Sequence, residues 1–167
     1  MKPLILCLGN DVLSDDGFGF AVAHRLHEKY NITAVADVEA AAVAGFALLD
    51  ALNRRDYVMV VDTIKTNHVS AGTLMEFHAG QFTPTRGLTT SHQISLPQAL
   101  ALGTELGYTM PPQIDVLAVE AEDVETLNEE LTPAVKASVE PAVERIENWV
   151  FSLPGIHKES SYEARIP

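Results

Sequence analysis

The chain has 167 residues, 47% hydrophobic and 20% charged, with 11 basic side chains against 23 acidic ones and a formal net charge of -12. A length of this order suits a single domain that buries roughly 70% of its unfolded surface, so neither a disulfide framework nor a structural metal is required to hold it. The acidic balance excludes nucleic acid and anionic lipid as natural partners and favours cations, basic peptides or another protein.

The longest apolar stretch, Ala40 to Leu49, is far short of the roughly 20 residues of a membrane-spanning helix. The first residues imitate a brief signal peptide but run into Asn10-Asp11 without a small-residue cleavage site, and the expectation is a cytoplasmic protein. The one cysteine, Cys7, sits in the run Leu4-Ile5-Leu6-Cys7-Leu8 and reads as a small buried hydrophobe in a reducing compartment.

Leu4 to Gly9 predicts a strand covered on both faces. A helix follows, with Phe18, Val22 and Leu26 at i+4 spacing, Ala21 beside them, His24 and His27 on the solvated side, and Asp15 or Asp16 as cap. Ile32 to Val38 predicts a second strand and Gly45 to Leu52 a short helix. Tyr57 to Asp62 is the clearest strand, β-branched and ended by a carboxylate. Gly72 to His78 predicts a fourth, running antiparallel at an edge because its connection is too short for a parallel return. Leu96 to Leu106 reads helical behind the capping-box spacing of Ser95 to Gln98. Ile114 to Val119 supplies the fifth strand. Thr132-Pro133 opens a long helix with the stripe Val135, Val139, Ala142, Ile146 and Trp149, bent at Pro141. Residues 152–167 show no period and read as a surface tail. This order predicts one three-layer α/β domain over residues 1–151 with a mostly parallel sheet, and a ligand site beyond the carboxyl ends of the strands.

That rule selects the loop Gly9-Asn10-Asp11-Val12-Leu13-Ser14-Asp15-Asp16-Gly17-Phe18-Gly19 and the strand-end Asp62. The loop holds three carboxylates and three glycines. It serves either as an Asx-rich turn and cap or as a ligand site, and adjacent aspartates can divide these tasks. If the first and third strands are neighbours, Asp62 faces Asp16 across one cleft, where two carboxylates require a shared proton or a cation. His92, in the polar run Thr89-Thr90-Ser91-His92-Gln93, is either a plain loop histidine or the third member of an oxygen and nitrogen set suited to nickel, zinc, cobalt or iron. His68, His78 and His157 hold only general positions. The chain has no Gly-x-Ser-x-Gly elbow, Walker lysine loop, dinucleotide turn or Cys-x-x-Cys pair.

Gly9-Asn10 with Leu13 and Asp15-Asp16-Gly17-Phe18-Gly19, then Val60-Val61-Asp62, Thr90-Ser91-His92-Gln93, and Leu131 to Val135 with Glu140-Pro141-Ala142 together resemble the endopeptidases that mature nickel-iron hydrogenases, over roughly residues 3 to 150. The resemblance implies a mixed five-stranded sheet between helices with one strand antiparallel, of phosphorylase/hydrolase-like type. It also implies a nickel site at the matching Asp16, Asp62 and His92, the same residues being the catalytic set. The nickel would come with the hydrogenase large-subunit precursor rather than reside in the enzyme, and cleavage would remove a C-terminal extension of that precursor. This chain departs from the family in reading Val38-Glu39-Ala40-Ala41-Ala42-Val43 where an acidic-Gly-Gly-Thr-like turn is usual. Alanine enters left-handed backbone regions less freely than glycine, so that segment must take another shape. Two other functions fit the same residues: a non-catalytic nickel-dependent assembly factor for the same precursor, and a metal-dependent peptidase or amidase with another substrate.

Overall fold

The computed structural model describes residues 1–42, 46–78 and 96–157 of the chain. Its elements, in order, are β1 (Leu4–Leu8), a 3-10 turn (Ser14–Gly17), α1 (Phe18–His27), α2 (Tyr30–Thr33), β2 (Asp37–Ala41), α3 (Phe46–Leu52), β3 (Tyr57–Ile64), β4 (Leu74–His78), α4 (Leu96–Glu105), β5 (Gln113–Glu120), α5 (Pro133–Lys136) and α6 (Val139–Ser152). The five strands form one sheet in the order β2-β1-β3-β5-β4. All pairings are parallel except β4 with β5, so the edge position and antiparallel direction expected of the fourth strand are both found.

Strand alternation sorts the apolar residues into two cores, one on each face of the sheet. Ile5, Cys7, Met59, Val61, Leu117 and Val119 point to the side covered by α1 and α6, where Phe18, Val22, Leu26, Val143, Ile146 and Val150 complete the packing. Leu4, Leu6, Val58, Val60, Ile64 and Val116 point to the opposite side and meet Leu48, Leu49, Leu52 and Ala99 of α3 and α4. The central strands are apolar on both faces because both faces are covered, as the unbroken run at Leu4 to Leu8 foretold.

Three elements differ from the sequence reading. Ile32 lies in the helical turn α2 rather than in the second strand, its backbone closed by Ile32 N–H to Lys29 O at 3.0 Å and Ala34 N–H to Tyr30 O at 3.0 Å. A helical turn lets Ile32 reach the core, where it is fully buried, and β2 starts only at Asp37, beside Leu4. Glu39, Ala40 and Ala41 consequently belong to an extended strand paired with Leu6, Cys7 and Leu8, not to a loop, and Glu39 pairs with Arg55 at 3.6 Å. Residues 43–45 lie outside the described residues.

The long C-terminal helix is two helices. It breaks at Ser138, whose hydroxyl donates to the carbonyl oxygens of Gly72 at 2.6 Å and Ala134 at 3.1 Å. Pro141 then stands in the first turn of α6, where its missing N–H has no helical partner to lose, and so it starts a helix rather than bending one. The apolar stripe survives the break: Val135, Val139, Ala142, Ile146 and Val150 are all buried. Trp149 packs at the margin of the same core, its indole N–H donating to Asp115 Oδ2 at 2.6 Å. Beyond α6, Leu153 is buried and Ile156 packs on the α1/α6 core; residues 158–167, like Ser95 of the expected capping box, lie outside the described residues. Among the described residues no helix is long and apolar enough to cross a membrane.

Candidate active site

The sheet order places the site. The chain leaves β1 for β2 on one side and later returns to β3 on the other, so the strand order reverses between β1 and β3 and a crevice opens beyond their carboxyl ends. Pairing of β1 with β3 stops at Cys7 and Val61. Asp62 is therefore the first residue of β3 past its β1 neighbour. The strand does not end there, as the sequence suggested, because β5 keeps pairing with it as far as Ile64 opposite Glu120.

From β1 the chain folds back over its own end. Gly9 has φ +149°, and a Cβ at that position would stand 2.0 Å from the Asp16 carbonyl oxygen; one on Gly19 would stand 2.2 Å from the Leu8 carbonyl oxygen. Only glycine permits either approach. The Asn10 N–H donates to that Asp16 carbonyl at 3.0 Å, and the Asp16 N–H to Leu13 O at 3.0 Å. These contacts seat the Ser14–Gly17 turn directly above the crevice.

Asp16 and Asp62 are thereby brought together. Asp62 is buried, and its Oδ1 accepts the Thr63 N–H at 2.7 Å. Burial drives its carboxyl up from the usual 3.8 to about 7, against the lowering effect of that hydrogen bond, and the charge of nearby Asp16 raises it further. Asp16 is half-buried at the mouth. A carboxyl balanced near neutrality beside a second carboxylate can exchange a proton, or can yield it to a divalent cation with oxygen preference. His92, the third residue singled out from the sequence, lies outside the described residues. Among the described residues no group of three potential ligands meets at one point.

The remaining sequence candidates are placed elsewhere. Asp11 is exposed at the loop's outer edge. Neither Asp15 nor Asp16 caps α1 through its side chain, since the 3-10 turn precedes the helix and Gly17 is the N-cap residue. His24 and His27 are exposed as expected, the first 3.7 Å from Glu28 and the second bonded to Ala23 O at 2.8 Å. His68 and His157 are exposed. His78 contacts Asp115 at the opposite end of β5 from the crevice. Burial pushes the Cys7 thiol up to about 12, which leaves it protonated and inert.

Sequence reasoning missed the segment 121–132, which walls the site. Leu13 and Asn128 form a bridge of parallel type, with Ser14 N–H to Asn128 O at 2.6 Å and Asn128 N–H to Val12 O at 3.1 Å. Asp123 shapes the segment, its Oδ1 accepting the N–H groups of Glu125 at 2.9 Å and Thr126 at 3.0 Å. Hydrogen bonds from Thr126 and Glu125 hold that carboxyl down at about 2. At the end of β5 the buried Glu120 accepts from Thr66 N–H and Asn67 N–H through Oε1 and from the Thr66 hydroxyl through Oε2, fixing the turn after β3. The Asx and Glu side chains were the available signal, but non-periodic acidic sequence does not announce which backbone it will bind.

Comparison with known proteins agrees with this architecture. The family model of the hydrogenase maturation proteases matches residues 20–149. The chain is 28% identical over 163 residues to the hydrogenase 2 maturation protease of Escherichia coli K12, covering 92% of this chain and 96% of that one. It is 26% identical over 142 residues to the hydrogenase expression/formation protein HoxM of Azotobacter vinelandii, covering 84% and 68%. Among solved structures, the hydrogenase maturating endopeptidase HybD of Escherichia coli superposes with a TM-score of 0.73 at 24% identity, covering 94% of this chain and 96% of that one. HybD of Thermococcus kodakarensis superposes at 0.63 and 23%, covering 90% and 99%. The chain belongs to the hydrogenase maturation protease family, and its fold is the fold of those endopeptidases.

Proposed function

We propose that this hydrogenase maturation protease removes the C-terminal extension of a hydrogenase large-subunit precursor after nickel has been installed in it, with Asp16, Asp62 and His92 engaging the nickel that the substrate carries. The observation that carries the reading is the meeting of Asp16 and Asp62 at the strand-order reversal, where burial and mutual repulsion leave one carboxyl holding a proton near neutral pH. A divalent cation relieves that repulsion by displacing the proton, so the pair suits a metal delivered by the substrate.

The substrate's nickel, once engaged, supplies Lewis-acid polarisation of a carbonyl or of water. The chain's own contribution is threefold. The two carboxylates and the imidazole recognise the metal and so select loaded precursor. The crevice holds the tail of the precursor close to them, which lowers the entropic barrier to attack. One carboxylate of the pair takes a proton from the attacking water and returns it to the departing amide nitrogen. Overall, water adds across the peptide bond, its hydroxyl to the carbonyl carbon and its proton to nitrogen.

Asp16→Asn and Asp62→Asn each remove one anionic ligand while preserving side-chain volume. Both variants are expected to remain folded and to leave the precursor at full mass. Wild-type cleavage rates in both would defeat the assignment, whereas binding of loaded precursor without any cleavage by the wild type would mark a non-catalytic assembly factor.

A further inference from the structure

Asp15 and Asp16 are adjacent in the chain, yet their surroundings are opposite. The Asp15 side chain is completely buried and is spent on hydrogen bonds to the 121–132 segment. Its Oδ2 accepts the N–H groups of Glu122 at 2.8 Å and Asp123 at 2.9 Å and the Thr132 hydroxyl at 3.0 Å; its Oδ1 accepts the Thr132 N–H at 2.8 Å. Its backbone is engaged as well: the N–H donates to Asp123 O at 2.9 Å and the carbonyl accepts the Thr63 hydroxyl at 3.0 Å. One residue thus joins three segments, namely the turn bearing Asp16, the residue directly after Asp62, and both ends of the 121–132 wall.

The preceding residue is held in an unfavourable conformation by the same wall. Ser14 has φ 44°, a left-handed geometry uncommon for a residue with a side chain. It is retained by its N–H to Asn128 O at 2.6 Å and its hydroxyl to Glu130 O at 3.3 Å. Strain of this kind persists only where the surroundings over-determine it, and it concentrates at functional sites. A buried carboxylate is also a costly joint unless every acceptor position is matched, and its advantage over apolar packing lies in fixing one geometry.

We infer that Asp15 is a positioning residue of the cleavage reaction: its clamp on Glu122, Asp123 and Thr132 fixes the 3-10 turn, and through it sets the Asp16 carboxylate against Asp62. This rests on the reading that Asp16 and Asp62 act on the precursor. Asp15 itself touches no substrate. Its effect falls on the chemical step, where a displacement of about 1 Å costs on the order of 100-fold, and not on precursor binding.

The test is steady-state cleavage of nickel-loaded large-subunit precursor by Asp15→Asn, Thr132→Val, Thr132→Ser and Asp16→Asn, all at a temperature where circular dichroism shows each variant folded. Asp15→Asn turns an NH2 group toward N–H donors and is expected to lower kcat about 100-fold with KM within about twofold of wild type. Thr132→Val removes one donor from the clamp and is expected to lower kcat roughly 10-fold, the equivalent of one hydrogen bond to a charged group, while Thr132→Ser restores it. Ile146→Ala, a core truncation under α6, provides a destabilised control with unchanged kcat. If Asp15→Asn fails to fold, the Thr132 pair decides. Wild-type kcat in Thr132→Val, or an equal fall in Ile146→Ala, overturns the inference while an inactive Asp16→Asn keeps the reading of the crevice intact. Wild-type cleavage by Asp16→Asn defeats that reading itself.

Discussion

Asp62→Asn should change how stability depends on pH as well as activity. In the folded protein the Asp62 carboxyl is pushed up to about 7 from the 3.8 of an unburied aspartate. Between those values the native state holds a proton that the unfolded chain has released. By linkage, the group's contribution to stability is fully present below about pH 4, declines as pH rises through the interval, and levels off above about pH 7. A span of about three pH units at 1.36 kcal/mol each makes the loss on the order of 4 kcal/mol, an upper figure for a buried group. Asparagine does not titrate and keeps an oxygen for the Thr63 N–H. Urea unfolding of wild type and variant from pH 4 to pH 8 isolates the effect, because other titrating groups cancel in the difference. The variant should gain up to about 4 kcal/mol on the wild type as pH rises across this range, with equal m-values. Asp16→Asn should move the wild-type decline to lower pH without removing it, since burial is the larger cause. A wild-type to Asp62→Asn difference constant to within about 0.5 kcal/mol across the range would refute the burial and proximity of the two carboxyls.

Two further substitutions test the supports of the crevice. Gly19→Ala places a methyl group 2.2 Å from the Leu8 carbonyl oxygen, and thermal melting should register a loss of about 3 kcal/mol because neither the first turn of α1 nor the end of β1 can retreat from the packed core; an unchanged melting temperature would mean that the start of α1 does not sit on β1. Glu120→Ala strands the Thr66 and Asn67 N–H groups and should cost about 2 to 3 kcal/mol in urea unfolding, with Glu120→Gln costing less; equal stability of the two variants would argue against a buried hydrogen-bonded clamp.

The legible part of this protein was the part governed by period and by chain-length limits. Leu4 to Leu8 and Tyr57 to Val61 are apolar at every position because helices cover both faces, and the short link from β3 to β4 forced an antiparallel edge strand. The meeting of Asp16 and Asp62 could be foreseen once β1 and β3 were placed side by side, since Asp16 follows the carboxyl end of β1 and Asp62 lies on β3 just past that same end. Illegible were features decided by contacts distant in sequence. Ile32 has a β-branched side chain, yet core access from a helical turn outweighed that weak preference. Ser138 broke the last helix because Gly72 offered it an acceptor 66 residues away. Asp15 and Asp16 are chemically identical in the sequence, and only the arrival of Glu122, Asp123 and Thr132 separates a clamp from a candidate catalytic carboxylate.

The central claim is that the crevice recognises a cation borne by the substrate and then directs hydrolysis. Its most direct measurement is mass spectrometry of the large-subunit precursor after incubation with the purified protein, once loaded with nickel and once metal-free. The loaded precursor should lose a single C-terminal peptide, with the metal-free form remaining at full mass. Equal cleavage of both forms, or of neither, would contradict it.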